Sequence, residues 1–543
     1  MIGRRDLMTA AALAPALAGA ARAVAPGAAG PFTADWGSLA AGYRVPDWFR
    51  DVKFGIWSHW SAQCVPEFGD WYGRLMYIQG HPFYEHHLRT YGHPSRTGFM
   101  EIENLWKAEH WEPEHLIGLY KKAGARYFTS LACHHDNLDT FDSRHHAWNT
   151  LRVGPKRDIV GTWEKLARAE GLRFCVSNHS SHSWHWYQTA YGYDTHGPEA
   201  GRRYDAFGLR ADQGRGQWWD GLDPQALYNG PYFVPPAGLT SEKAMNAWHD
   251  ARDGQWIEYA PPGARGVAYV AKWLARQQDL VGRYRPDMVY LDDFQLPFGT
   301  VGLEAVAHYY NSAVAWHGTP DVVITAKQLT AFQRAGMVED LERGFAADIK
   351  AEPWQTCTCI GNWHYDRALF ERHGYKSAKT VVQRLCDVVS KNGNLLLSIP
   401  MRADGTIDTD EEAILADLAR WFAINGEGIY GTRPWRVFGE GPTVPPAGMF
   451  SEDAIKPFTA RDLRITAGRG GLNLFLLEWP QAETVIACLG RRGTGGGVIE
   501  RVTLNGGGAI PFVQDEAALR LTLPAAPAGG FVPGLRIEGR GLA

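Results

Sequence analysis

From about residue 40 to 430 the chain repeats one pattern: a helical spacing of apolar positions, a glycine, a short unbroken apolar run, then polar or acidic residues. The helical stretch at 115–123 leads through Gly124 into Tyr127-Phe-Thr-Ser-Leu-Ala132, followed by Cys133-His134-His135-Asp136. The stretch at 160–170 leads through Gly171 into Arg173-Phe-Cys-Val176, followed by Ser177-Asn178-His179. The stretch at 267–281 precedes Met288-Val-Tyr-Leu291, which stops at Asp292 and Asp293. Phe54-Gly-Ile-Trp57, Asp321-Val-Val-Ile-Thr325, the segment 345–355 and, after a helix at 380–391, Asn394-Leu-Leu-Leu-Ser-Ile-Pro400 continue the series. Unbroken apolar runs between helices are strands covered on both faces, the signature of a parallel sheet. The pattern predicts an α/β fold, a (β/α)8-type TIM-like barrel over 41–430 with an insertion at about 185–260. A doubly wound sheet is the alternative, but no G-x-G-x-x-G opens a helix. The insertion is rich in Gly, Trp, Tyr and Asp; its aromatic content predicts an ordered loop, expected to shape the acceptor side of a site.

After residue 430 the period changes. Leu472–Trp479, Glu483–Leu489, Ile499–Leu504 and Leu519–Pro524 read as short strands separated by Gly and Pro turns, with no helical pattern between them. Residues 431–543 are therefore predicted to form a C-terminal antiparallel β-sandwich. At the other end, Arg4-Arg5, an Ala- and Leu-rich run and Ala21-Arg22-Ala23 have the layout of a signal peptide over 1–23. The paired arginines and modest hydrophobicity favour the twin-arginine type, a periplasmic or secreted destination and no stable membrane anchor. Residues 24–40 read as a flexible leader.

The net charge of −4 lacks the basic footprint of a nucleic-acid binder. The 22 tryptophans suit an enzyme that stacks on sugar rings, although most must be core residues. Seven cysteines fit no metal spacing and read mostly as buried thiols, with one disulfide left open. No feature points to a cofactor or a metal, and the oligomeric state is not legible.

An apolar strand that ends in an acid can place a nucleophile at the mouth of a barrel. The same acid can equally open a turn or cap a helix. The histidines and aromatics at the ends of the other runs favour the first reading for Asp292.

Six motifs carry a likeness: Trp48-Phe-Arg-Asp-Val-Lys-Phe-Gly-Ile-Trp-Ser-His-Trp60, Gly69-Asp-Trp-Tyr72, His134-His-Asp136, Tyr290-Leu-Asp-Asp293, Ser390-Lys-Asn-Gly-Asn-Leu-Leu-Leu-Ser-Ile-Pro400 and Trp421-Phe-Ala-Ile-Asn-Gly-Glu427. In this order they resemble the α-L-fucosidases of glycoside hydrolase family 29. The resemblance implies a retaining exo-glycosidase that cleaves terminal α-L-fucosides, or closely related α-L-galactosides, of glycans through a covalent glycosyl-enzyme. It implies Asp292 as nucleophile, with Asp293 orienting it. His59, His134 and His135 match positions that hold sugar hydroxyls, and Trp71 and Trp363 match aromatic positions beside the ring. Asp70 stands where the family has Glu, Lys327 stands near the position of a family Arg, and Asn178 is a further substrate-binding candidate.

Two departures matter. After Trp354, where many members carry the acid/base Glu, this chain has Gln355, and an amide cannot donate a proton as a general acid. Glu352 is the expected replacement, with Glu339 and Glu342 behind it as residues that otherwise read as a solvated face. His179, His182 and His185 recur every three residues where members often have Tyr, and read as sugar contacts or structural residues ahead of metal ligands. Two alternatives stand beside the main reading: a related glycosidase with a non-standard acid, and a carbohydrate-binding protein that kept the pocket and lost the acid.

Overall fold

The computed structural model describes residues 30–252, 261 and 263–542. The expected signal segment over 1–23 lies outside the described residues. Eight strands close a parallel barrel in chain order: β1 (Phe54–Ser58), β2 (Tyr127–Cys133), β3 (Arg173–Asn178), β4 (Met288–Phe294), β5 (Val323–Lys327), β6 (Val338–Asp340), β7 (Trp354–Cys359) and β8 (Gly393–Ser398). β1 pairs with β8 as Phe54 with Leu395 and Gly55 with Leu396, which shuts the barrel. The helices Pro113–Lys122, Ile159–Ala169, Gly263–Tyr284 and Ala378–Ser390 cover the outside where the apolar spacing predicted them.

Strand side chains alternate between the barrel interior and the helical layer. The interior cluster includes Trp57, Tyr127, Cys175, Met288, Tyr290, Val323, Val338, Cys357 and Leu396. Phe54, Ile56, Phe128, Val176, Val289, Leu291 and Ile324 face outward into the larger core with the helices. The large interior rings need space, and Gly55 provides it: a Cβ there would lie 2.4 Å from the Tyr127 ring.

Two sequence expectations need correction. The segment 345–355 is mostly the connection between β6 and β7, and the missing strand is the three-residue Val338-Glu-Asp340. That strand is too short, and too acidic, to show an apolar run. The leader expected to be flexible over 24–40 is packed where it is described. Phe32 is buried, and its backbone N–H and C=O both bond the Asn311 side chain at 2.9 Å. The helix Trp36–Gly42 follows, capped by Asp35.

The C-terminal region forms two antiparallel sheets. The larger has the order β13-β16-β11-β10-β9, from β9 (Arg433–Glu440), β10 (Leu463–Gly468), β11 (Gly471–Leu476), β13 (Val498–Leu504) and β16 (Gly534–Arg540). The smaller has the order β12-β15-β14, from β12 (Thr484–Ile486), β14 (Phe512–Gln514) and β15 (Leu519–Leu521). Their core includes Ile465, Leu474, Ile486, Leu519 and Ile537. Buried Arg464 on β10 donates to Asp387 at 2.7 Å and so fastens the sheet to the barrel helix Ala378–Ser390. All seven cysteines are free thiols. Among the described residues no helix is long and apolar enough to cross a membrane.

Candidate active site

The inward alternation of the strands selects the site. Two residues past an interior side chain, at the C-terminal ends of five strands, the chain presents a polar group: Trp57 leads to His59, Ser177 to His179, Tyr290 to Asp292, Thr325 to Lys327 and Asp340 to Glu342. All five line a cavity of about 430 Å³ together with Asp70, Trp71, His134, His135, Arg343, Trp363 and Phe450. That volume is near the small end of ligand pockets, about 300–1,000 Å³. It lies at the end of the barrel where active sites of this architecture occur.

Asp292 is buried and densely held. Lys327 Nζ donates to its Oδ1, while His179 Nδ1 and His135 Nε2 stand 3.1 and 3.4 Å from Oδ2. Burial opposes ionisation, but the Lys327 ammonium and then His179 outweigh it and hold the Asp292 carboxyl well below the usual carboxylate range. Lys327 Nζ also donates to Glu342 Oε2. Burial pushes the Glu342 carboxyl up; Lys327 pulls it down, and the neighbouring Asp292 charge adds to the rise. The site therefore holds two carboxyls at close range, one driven to ionise and one driven to keep its proton.

Asp293 points the other way. It accepts from Ser181 Oγ at 2.8 Å and pairs with His182 Nε2 at 3.3 Å. Burial disfavours a charge on His182, yet Asp293 lifts its pKa to about 9. This charged pair anchors the turn that delivers His179. His185 is buried but does not line the cavity, so the three-residue His repeat splits into a site residue, an anchor and a packed side chain.

Burial holds His59 and His134 well below the usual imidazole range, and His135 at about 3. Neutral rings can donate at one nitrogen and accept at the other. Gln63 Nε2 lies 2.6 Å from His134 Nδ1 and so fixes that ring, leaving its other nitrogen toward the cavity. One imidazole nitrogen from each of His59, His134 and His179 lies within 4.8 Å of the other two, and so do one nitrogen each from His135 and His179 and a carboxylate oxygen of Asp292. That spacing suits a cation and equally suits adjacent hydroxyls of one sugar ring. Trp363 packs on His59 at 5.1 Å and Trp57 at 5.5 Å between centroids. Asp70 accepts from the backbone N–H groups of Trp363 at 3.1 Å and His364 at 2.7 Å, so it holds that loop in place as well as lining the cavity.

Of the residues singled out in the sequence, His59, Asp70, Trp71, His134, His135, Asp292, Lys327 and Trp363 come together here. Asn178 does not line the cavity: its Oδ1 accepts from Ser180 N–H at 2.8 Å and shapes the turn below His179. Glu352 is the larger correction. It is exposed and precedes β7, at the end of the barrel away from the cavity. Gln355 shares the inward phase of Cys357, deep in the interior, where it accepts from Tyr127 Oη and donates to Asp340. It therefore occupies no acid position at the cavity. Glu339, of outward phase, pairs with Arg334 and Lys350. Glu342 alone of the three glutamates enters, because the ladder to β7 continues past Asp340 through Leu341 and Arg343 N–H groups, each at 2.8 Å. The spacing Val338, Asp340, Glu342 was the available signal. None of the described residues of the insertion lines the cavity; Trp186 packs behind it, stacked on His135 at 4.8 Å. Phe450 comes from the C-terminal region, and no sequence pattern marked it.

A family model described as Alpha-L-fucosidase matches residues 20–427. The chain is similar to the tissue alpha-L-fucosidase of Bos taurus, 25% identical over 464 residues, covering 83% of this chain and 78% of that one. It is similar to the tissue alpha-L-fucosidase of Rattus norvegicus, 24% identical over 509 residues, covering 92% and 90%. Among solved structures, the Thermotoga maritima alpha-fucosidase superposes with a TM-score of 0.65 at 22% identity, covering 93% of this chain and 100% of that one.

Proposed function

Because the chain belongs to the α-L-fucosidase family of glycoside hydrolases, we propose that it hydrolyses terminal α-L-fucosides by a retaining double displacement, with Asp292 as nucleophile and Glu342 as acid/base. The observation that carries this reading is the single Lys327 ammonium bonded to both carboxyls, whose pKa values are pushed apart.

Asp292 attacks the anomeric carbon as Glu342 passes its proton to the departing glycosidic oxygen. A glycosyl ester on Asp292 and a free alcohol result. Ester formation removes the Asp292 charge, one of the causes that raise the Glu342 pKa, while Lys327 remains. Glu342 then becomes the stronger acid, and its carboxylate takes a proton from water as that water attacks the ester-linked carbon. Neutral His59, His134 and His135 supply mixed donors and acceptors to the hydroxyls, and Trp71 and Trp363 offer apolar faces. Export belongs to the same proposal. It is supported by Arg4-Arg5 and the small-residue pattern at Ala21-Arg22-Ala23, and absence of the protein from both the periplasmic fraction and the culture medium would sink it.

The decisive measurement is hydrolysis of 4-nitrophenyl α-L-fucoside by wild type, Asp292→Ala, Glu342→Ala and Glu352→Ala, with and without azide. Asp292→Ala should lose at least about 10³-fold in kcat. Glu342→Ala should accumulate the glycosyl-enzyme and recover with azide as the fucosyl azide forms. Glu352→Ala should match wild type. A fully active Glu342→Ala on this substrate and on a natural disaccharide would refute the assignment of the acid.

A further inference from the structure

The C-terminal region reaches into the cavity at one place. Residues 448–452, between β9 and β10, pair with residues 342–345, the segment that carries Glu342. Phe450 N–H donates to Glu342 C=O at 2.9 Å, Gly448 and Phe345 exchange both backbone bonds, and Ser451 and Glu452 N–H groups both reach Arg343 C=O at 3.0 Å. Beneath this clip the buried Glu452 carboxylate accepts from Arg343, from Arg384 at 2.5 Å, from Lys376 at 2.9 Å and from Thr358 at 2.7 Å. The backbone under Phe450 is thus fixed from two sides.

Neither the clip nor the ion cluster uses the Phe450 side chain. It is 60% exposed, on a residue of positive φ (53°), yet it lines the cavity beside Glu342 and Arg343. A single exposed apolar ring is ordinary on a protein surface; what sets this one apart is its place, in the cavity lining and held through its backbone to Glu342. Glu342 must stand beside the glycosidic oxygen to protonate it. The sugar beyond that oxygen therefore lies outward of Glu342, next to the residue bonded to its backbone. We propose that Phe450 and Arg343 form the leaving-group subsite: the ring takes the C–H face of a neutral pyranose, and the guanidinium, steadied by Glu452, donates to its hydroxyls. The C-terminal region then helps to set which fucosylated glycan is cleaved. This rests on the fucosidase reading above.

The test compares substrates that differ only beyond the scissile bond, using the full-length protein. α-L-Fucosyl fluoride has no leaving-group sugar and needs little protonation. The second substrate is the fastest of a panel of 1,2-, 1,3-, 1,4- and 1,6-linked α-L-fucosyl hexose disaccharides. In Phe450→Ala the ratio of kcat/KM for disaccharide to that for fluoride should fall about tenfold, through KM, the loss expected for one stacked ring. Phe450→Tyr should restore it, and the basic limb of the pH profile should stay in place. An unchanged ratio would overturn the subsite, as would a shifted basic limb, which would mean that Phe450 acts through Glu342. A wild type that cleaves the fluoride and no disaccharide overturns the pyranose subsite alone; one inert to both overturns the fucosidase reading and this proposal with it.

Discussion

Which of two adjacent acids faces the cavity is decided by the alternation of one strand. Met288 and Tyr290 point into the barrel, so Asp292 does too, and Asp293 is left to pair with His182 behind it. The same logic separates Glu342 from Glu339. At this scale the reactivity of Asp292 depends on its neighbours, and His179 is the next cause after Lys327 that keeps it ionised. His179→Phe should therefore raise the Asp292 pKa and move the acid limb of kcat/KM to higher pH. It should also lower kcat/KM on the order of 10- to 100-fold, the cost of one charge-assisted bond. A pH–rate profile on the aryl fucoside checks both; an unmoved acid limb would remove His179 from the account. In the wild type the acid limb should lie below the ordinary carboxylate range and the basic limb above it, following the opposed shifts of Asp292 and Glu342.

At the scale of elements, strands and helices were legible where apolar spacing was regular, and illegible where a strand was short. β2, β3, β4 and β8 announced themselves as apolar runs, whereas Val338-Glu-Asp340 is held by pairing to β5 and β7 rather than by its own composition. Helix ends depend on local chemistry. The helix Thr409–Asn425 starts at Asp408, whose carboxylate accepts from Asp410 and Glu411 N–H groups while Glu411 bonds back to Asp408 N–H. The same carboxylate accepts from Tyr365 at 3.1 Å and Tyr375 at 2.8 Å, joining the cap to the loop after β7. Asp408→Ala should cost about 1–2 kcal/mol, measured by urea unfolding, the upper part of the range for a lost cap because two phenols also lose their acceptor.

For the whole molecule, Glu452 makes one of the charged contacts between barrel and C-terminal region, beside that of Arg464 with Asp387. Burial would raise its pKa, but Arg384, Lys376 and Arg343 lower it from 4.5 to about 2. The folded-state value lies below the unfolded one. The stabilisation is therefore complete above about pH 4.5 and drains away as pH falls from there toward 2. That shift corresponds to about 3 kcal/mol. Glu452→Gln should be less stable than wild type by an amount of this order at pH 7, and the gap should close as pH falls toward 2 in urea titrations. A gap independent of pH would mean that packing, and not the ion cluster, joins the two parts.

The sequence by itself determined the alternation of helix and strand apart from the short β6, the change to β structure after residue 430, and most of the pocket: Asp292, His59, His134, His135, Trp71, Trp363 and Lys327. The periods are local facts, written in neighbouring residues, whereas the pocket residues were named by their match to the motifs of the family that the chain resembles. Only the tertiary structure decided that Glu352 lies at the wrong end of the barrel, that Gln355 is an interior residue, and that Glu342 shares Lys327 with Asp292. Only it brought Phe450 across more than 100 positions to the same cavity. The physical reason is that a shared cation and a buried dielectric act through space. A carboxyl's role follows from what surrounds it once the chain has closed on itself.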